Sequence, residues 1–272
     1  MVRSLWTAAT GMNAQQTNVD TIANNLANVN TVGYKSQAAQ FKSLLYQTLQ
    51  TKTTTANGED KPTSSQVGLG VRNSSINSIF RQGSLLSSES DTSFAIEGDG
   101  FFAVRGSDGN TYYTRNGDFT WATNGNNGLI LTDQDGQPVL SSTGRTITLN
   151  ANYVASRVTI TGDGTICYPD ANNNPQSMGM SIGLYQFNNP GGLERKGSTL
   201  WAATEASGTV LNEATNRNVS KSKVVQGYLE GSNVQVADEM VNLIVAQRAY
   251  EMNSKAITTT DEMMQTANNL KR

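Results

Sequence analysis

Apolar residues recur every seven positions at both ends of this chain, while the middle alternates in short bursts. Near the start, Leu5, Met12, Val19 and Leu26 fall seven apart, with Ala8, Ile22 and Val29 filling the intermediate row. Near the end, Val236, Leu243, Tyr250, Ile257 and Met264 repeat the spacing, and Ala249, Ala256, Met263 and Leu270 form a second row. A sevenfold apolar repeat specifies a helix with one face that must be buried. The spacing predicts a front helix from a Ser4 cap to about residue 28, and a back helix of about 35 residues and roughly 50 Å. Gly11 inside the front helix costs on the order of 1 kcal/mol against alanine, which argues for close backbone packing there. Neither end contains the rest of a bundle. The partner for each apolar face is the other end of the chain, and then further copies of it.

Boundary signals sharpen this picture. Residues 28–33 carry the stop of the front helix, with Gly33 suited to a left-handed C-terminal position. Gly231-Ser232-Asn233 precedes the back helix, so Ser232 or Asn233 can cap it. Asp238 and Glu239 in its first turns and Lys271 and Arg272 at its end complement the helix dipole. Residues 34–50 keep apolar positions (Tyr34, Phe41, Leu44, Leu45, Leu49) without a clear period. Residues 51–65 lack the apolar content for a core, and read as a flexible loop or as a segment that orders against neighbouring copies.

From about 68 to 207 short strands alternate with turns. Strand candidates lie at 101–104, 111–114, 119–122, 129–132, 147–149, 158–160 and 180–187, separated by Asp108-Gly109, Asn116-Gly117, Asp135-Gly136 and Asp163-Gly164. Such spacing predicts a compact antiparallel barrel or sandwich. The expected fold is therefore α+β. Long N- and C-terminal helices (1–35 and 228–272) pair as an α-helical coiled-coil core domain. A connecting segment (36–92) with a polar insert at about 46–66 leads to a central, mainly antiparallel β domain (93–227).

Composition removes most chemistry. Among 272 residues there is no histidine, which takes away the commonest general base and metal ligand. The single cysteine, Cys167, reads as a small buried hydrophobe in a strand. Net charge is −2, so no basic footprint for nucleic acid exists. No unbroken apolar run opens the chain as a secretory signal would, and no stretch reaches the roughly 18 apolar residues of a membrane span. Gly68-Leu69-Gly70 and Gly98-Asp99-Gly100 do not open helices after strands, as phosphate loops do. Asp133-Gln134-Asp135-Gly136 lacks the ligand ladder of a calcium loop. Tyr112, Tyr113, Phe119 and Trp121 fit a half-buried strand face better than a sugar platform, and the methionines of the tail fit core or interface. No enzyme, cofactor or metal site is expected.

Three stretches resemble the axial proteins of the bacterial flagellum, the rod and hook subunits. The first is Ala23-Asn24-Asn25-Leu26-Ala27-Asn28-Val29-Asn30-Thr31-Val32-Gly33-Tyr34-Lys35. The second is Phe94-Ala95-Ile96-Glu97-Gly98-Asp99-Gly100-Phe101-Phe102 with Tyr113-Thr114-Arg115-Asn116-Gly117-Asp118-Phe119. The third is Val225-Gln226-Gly227-Tyr228-Leu229-Glu230-Gly231-Ser232-Asn233-Val234, leading into Ala246-Gln247-Arg248-Ala249-Tyr250-Glu251. Together they cover essentially the whole chain. The length and the polar stretch at about 46–66 resemble the distal rod branch; a proximal rod or hook subunit is the alternative.

The resemblance implies a structural subunit that self-assembles into a rigid helical tube, with terminal helices as its core and the β domain outside. Implied partners are further copies, the proximal rod and hook proteins, the surrounding P and L ring proteins, and the flagellar export apparatus with rod assembly factors. The implied place is the basal body, in the periplasm, after export without a cleaved signal. Core residues of the assembly would be Leu5, Met12, Val19, Ile22, Leu26, Val236, Leu243, Tyr250, Ile257 and Met264. Asn24, Asn25, Asn28, Gly33, Gly98, Gly100, Gly227 and Asn233 are the family positions. A carbohydrate-binding β protein or glycosidase is the rival from another class, and would leave both helices unexplained.

Overall fold

The structure is a computed structural model that describes residues 2–50, 65–125, 128–150, 152–170, 172, 174–216 and 219–270. Most of the expected polar insert (51–64) and the closing Lys271 and Arg272 lie outside the described residues. The fold is α+β, and its ladders are antiparallel. Two helices are described, α1 (Val2–Ala27) and α2 (Val236–Asn269). No helix among the described residues is long and apolar enough to cross a membrane.

The chain forms two compact units. One comprises Met1–Ala27, Gln37–Ser78 and Gln235–Arg272; the other comprises Asn28–Ser36 and Ile79–Val234. The chain passes from one to the other four times. These limits differ from the expected 1–35, 36–92 and 93–227, because the ladders assign the segments. Gln37–Ser78 folds on α1, whereas the residues just before α2 pair with strands of the β unit.

In the helical unit, α1 packs against α2 on one side and against a two-stranded ribbon on another. The ribbon pairs Gln37–Ser43 with Val71–Ser78. Thr10 and Thr17, seven apart, meet its second strand: Val71 N donates to Thr10 Oγ1 at 3.3 Å, and Asn73 Nδ2 to Thr17 Oγ1 at 2.6 Å. Hydroxyls on helical spacing thus serve a second face of the same helix. A further ladder pairs Tyr46–Gln50 with Ser65–Gly68, so the strands flanking 51–64 run side by side.

The β unit is built around a six-stranded sheet. Its order is Glu194–Gly197, Leu200–Ala202, Thr111–Thr114, Phe101–Arg105, Leu184–Gln186, Leu211–Asn212. The strand Phe101–Arg105 is apolar at successive positions because both of its faces are covered. Phe102 and Val104 enter one buried cluster with Phe94, Phe119, Leu131 and Ile147, while Phe101 and Ala103 enter another with Tyr113, Phe187 and Trp201. Alternation across a strand makes this division obligatory. Two three-stranded sheets, one holding Phe119–Asn124 and Gly128–Asp133 and the other Thr165–Pro169 and Pro175–Ser181, and two two-stranded pairings, Phe94–Glu97 with Lys223–Gln226 and Leu85–Ser87 with Tyr228–Glu230, complete the unit.

Several expectations change in detail. Ser4 does not cap α1, which is already helical at Val2. Neither Ser232 nor Asn233 caps α2; Gln235 holds the N-cap position without a side-chain hydrogen bond, because the Asn233 amide is engaged elsewhere. The expected strand 180–187 is two strands, Pro175–Ser181 and Leu184–Gln186, in different sheets. Asn116-Gly117 is a corner between sheets rather than a hairpin, with Phe94 N donating to Gly117 O at 2.9 Å. Tyr113 and Phe119 are buried, with Tyr112 and Trp121 packed on the core, so these aromatics form no open platform. Cys167 is buried in its strand.

Candidate functional site

Two arrangements collect the residues singled out from the sequence. The first is the antiparallel pairing of α1 with α2. Asn25 Nδ2 donates to Glu239 Oε1 at 3.0 Å, and the side chain of Asn253 lies against Gly11. Moving between these contacts covers fourteen positions back along α1 and fourteen forward along α2, two heptads in each helix. At Gly11 a β-carbon would stand 3.0 Å from Asn253 Nδ2, so the missing side chain leaves room for the Asn253 amide.

Asn25 is itself held by Gln37, whose N–H donates to Asn25 Oδ1 at 2.9 Å and whose carbonyl accepts from Nδ2 at 2.8 Å. Burial pushes the Glu239 carboxyl above its ordinary range; the Asn25 hydrogen bond opposes this and the Asp238 charge adds to it.

Burial along this pair is uneven. Ile22 is buried, as is Ala8 two heptads earlier in the same row. Leu5, Met12, Val19, Leu26, Leu243, Ile257 and Met264 are half-buried, whereas Val236 and Tyr250 are 46% and 41% exposed. Val19 and Tyr250 line a shallow groove with Gln16 and Gln247. The second row facing α1 is small or polar: Glu239, Ala246, Asn253 and Thr260. Of the expected second row, Ala256, Met263 and Leu270 are exposed and Ala249 is half-buried. Only Ala246 and Thr260 of α2 are buried. Val241, Ile244, Val245 and Met252 stand 55–68% exposed on positions three, four and seven apart, an apolar stripe that the exposed Arg248 interrupts.

The second arrangement lies within the β unit, where parts of all three sequence stretches meet at a buried carboxylate. Glu230, fully buried, accepts from Lys35 Nζ at 2.6 Å, Arg115 Nη1 at 3.2 Å and Gly83 N at 2.9 Å. Its backbone carbonyl accepts from Gly33 N at 2.8 Å. Lys35 Nζ also donates to Arg81 O at 2.7 Å, and Arg115 Nη2 to Gly98 O at 2.7 Å, with the guanidinium 5.0 Å from the Phe101 ring centre. Burial pulls the Lys35 amine below its ordinary range; Glu230 opposes that, and the Arg115 charge reinforces it.

Three residues on, Ser36 N donates to Asn233 Oδ1 at 2.7 Å, and Asn233 Nδ2 donates to Ile79 O at 2.8 Å and Arg81 O at 3.2 Å. Gly33 has φ of +69°, and a β-carbon there would meet the backbone of Arg115 and Asn116. Only glycine satisfies both demands.

The remaining positions serve nearby joints. Gly100 N donates to Ser222 Oγ at 3.0 Å, beside a second buried carboxylate, Glu213, which accepts from Ser222 N and Gln186 Nε2. Gly227 N donates to Ser93 O, and Gly227 O accepts from Ser88 N. Asn28 Oδ1 accepts from Thr31 Oγ1 at 3.2 Å, and Asn24 is exposed on α1. The structure thus gathers Gly33, Gly98 and Asn233 at one cluster and leaves Asn24, Asn25, Gly100 and Gly227 outside it. Lys35, Arg115 and Glu230 were absent from the expected site residues. Their signal was charge: each is a charged residue within a stretch dominated by glycine, asparagine and apolar side chains.

The chain matches three family profiles in order. They are described as Flagella basal body rod protein (residues 5–35), Flagellar hook protein FlgE/F/G D1 domain (95–168) and Flagellar basal body rod FlgEFG protein C-terminal (225–270). It is 43% identical to the flagellar basal-body rod protein FlgG of Borreliella burgdorferi over the full length of both chains. It is 41% identical to FlgG of Caulobacter vibrioides over 99% of this chain and 100% of that one. With FlgG of Agrobacterium fabrum the identity is 40% over 96% and 97%. With profiles at both ends and the middle, and relatives aligned from end to end, the chain belongs to the family of flagellar basal-body rod proteins FlgG.

Proposed function

We propose that copies of this chain stack into a rigid helical tube that forms the distal part of the flagellar rod, encloses an export channel and carries motor torque to the hook. Membership of the family makes the chain a structural subunit of the basal-body rod and not an enzyme. The observation that supports a tube is the uncovered apolar stripe of α2 beside the α1–α2 pairing. Stripes of this size are kept from water by association. A contact between unlike patches of successive copies does not close, and generates a filament.

In this reading α1 and α2 form a coiled-coil core, and Leu5, Met12, Val19, Ile22, Leu26, Val236, Leu243, Tyr250, Ile257 and Met264 face neighbouring helices within the polymer as well as each other. The proximal rod and hook bound the tube at its ends, P and L ring proteins surround it in the periplasm, and the export apparatus with rod assembly factors delivers the subunits. Negative-stain microscopy of the purified chain at rising concentration tests the reading. Tubes of uniform diameter are expected; a protein that stays monomeric at every concentration and salt would overturn it.

A further inference from the structure

We propose that Glu230 and Asn233 form a latch that makes the three chain segments leading out of the β unit open and close as one cooperative block. The segments are 28–36, 79–83 and 230–234, and they contain the β-unit side of all four passages between the units. Glu230 holds the first through Lys35 Nζ and Gly33 N, and the second through Gly83 N. Asn233, three residues on, holds the first through Ser36 N and the second through the carbonyls of Ile79 and Arg81. Ile79 N donates to Ser36 O at 2.8 Å and closes the ring between the two held segments.

The chemistry favours all-or-none behaviour. The carboxylate of Glu230 is fully buried and faces two cations, Lys35 and Arg115, which are 1% and 3% exposed. Withdrawing Glu230 strands two cations in a dry site, and withdrawing Lys35 breaks a buried, hydrogen-bonded ion pair; either is far costlier than the pair itself is worth. Release of a single segment is therefore penalised until all are released. A pull on any one passage is met by all three segments. The inference concerns the single chain and stands or falls apart from the tube.

Amide hydrogen exchange on the full-length monomer tests it. In the unmodified chain the amides of Gly33, Ser36, Ile79 and Gly83 should share one protection factor. In Asn233→Ala only Ser36 loses its direct acceptor, yet Gly33 and Gly83 should also exchange at least tenfold faster. The amide of Leu140, bonded to Ala103 O in the core, should be unchanged and reports that the unit remains folded. Glu230→Gln should in turn accelerate Ser36 and Ile79, neither of which touches its side chain. Acceleration confined to Ser36 in the first variant, or four unequal protection factors in the unmodified chain, would overturn the latch.

Discussion

Asn25 of α1 reaches Glu239 of α2 through a 3.0 Å hydrogen bond while Gln37 fixes its amide from behind. The carboxyl so addressed titrates above its ordinary value of 4.5, chiefly because it is buried. A group whose folded pKa is raised contributes stability that is present below the unfolded value and lost as pH rises through the folded one. The helix pair should therefore gain stability on mild acidification from neutrality. Circular dichroism melts of Glu239→Gln alongside the unmodified chain isolate this group: the variant should lose that part of the pH dependence. Identical profiles would remove Glu239 from the account.

Gly11 and Asn253 set the spacing of the helices. Gly11→Ala gains about 1 kcal/mol of helix propensity and meets only the movable end of an asparagine, so its net effect should be small. Gly11→Leu overpacks the contact and should cost about 1–3 kcal/mol. Adding Asn253→Ala should return part of that loss in a double-mutant cycle. If Gly11→Leu melts like the unmodified chain, the close approach has no energetic weight.

The uncovered stripe of α2 gives the sharpest separation of folding from assembly. Ile244 and Val245 are 55% and 62% exposed in the single chain. Ile244→Asp or Val245→Asp should change monomer stability by only about 0.5 kcal/mol, as exposed substitutions do. In the proposed tube the same charge is desolvated, and the critical concentration should rise at least roughly a hundredfold. Sedimentation at graded concentrations reads both quantities. Unaltered polymerisation by both variants would place the copy-to-copy contact elsewhere.

Alkali should attack the β unit at Tyr113. Burial, with a smaller contribution from the neighbouring Tyr185, pushes its hydroxyl from 10 up to about 12. Its raised folded value means that stability present below pH 10 is lost as pH climbs toward 12. The loss is about 2–3 kcal/mol. Urea titrations of Tyr113→Phe should lack this component, and tyrosinate absorbance should show one late-titrating group fewer.

What could be read from the chain was whatever depended on local spacing. The two helices, the demand for close packing at Gly11, the strand 111–114 and the turns at Asp108-Gly109 and Asp163-Gly164 all came from periodicity or from residues with special backbone freedom. The ribbon of Gln37–Ser43 with Val71–Ser78 did not, because its strands are mostly polar and its pairing is long-range. The intrachain face of α2 was hidden for a related reason. The apolar choice, Met263 and Leu270, is exposed, and the intrachain contact takes Asn253 and Thr260, which fit beside glycine and small residues. The cluster around Glu230 was invisible as a cluster, since Lys35 and Arg115 approach it from 195 and 115 positions away.

Only Ala246 and Thr260 of the 34 residues in α2 are buried by the chain's own fold. In the proposed tube, a helix with so little interior of its own obeys mass action, because neighbours that bind it stabilise the ordered form in proportion to their abundance. Its melting temperature is then a property of the population rather than of the molecule. Dilution becomes a denaturant for the ends of this protein while leaving its β unit intact.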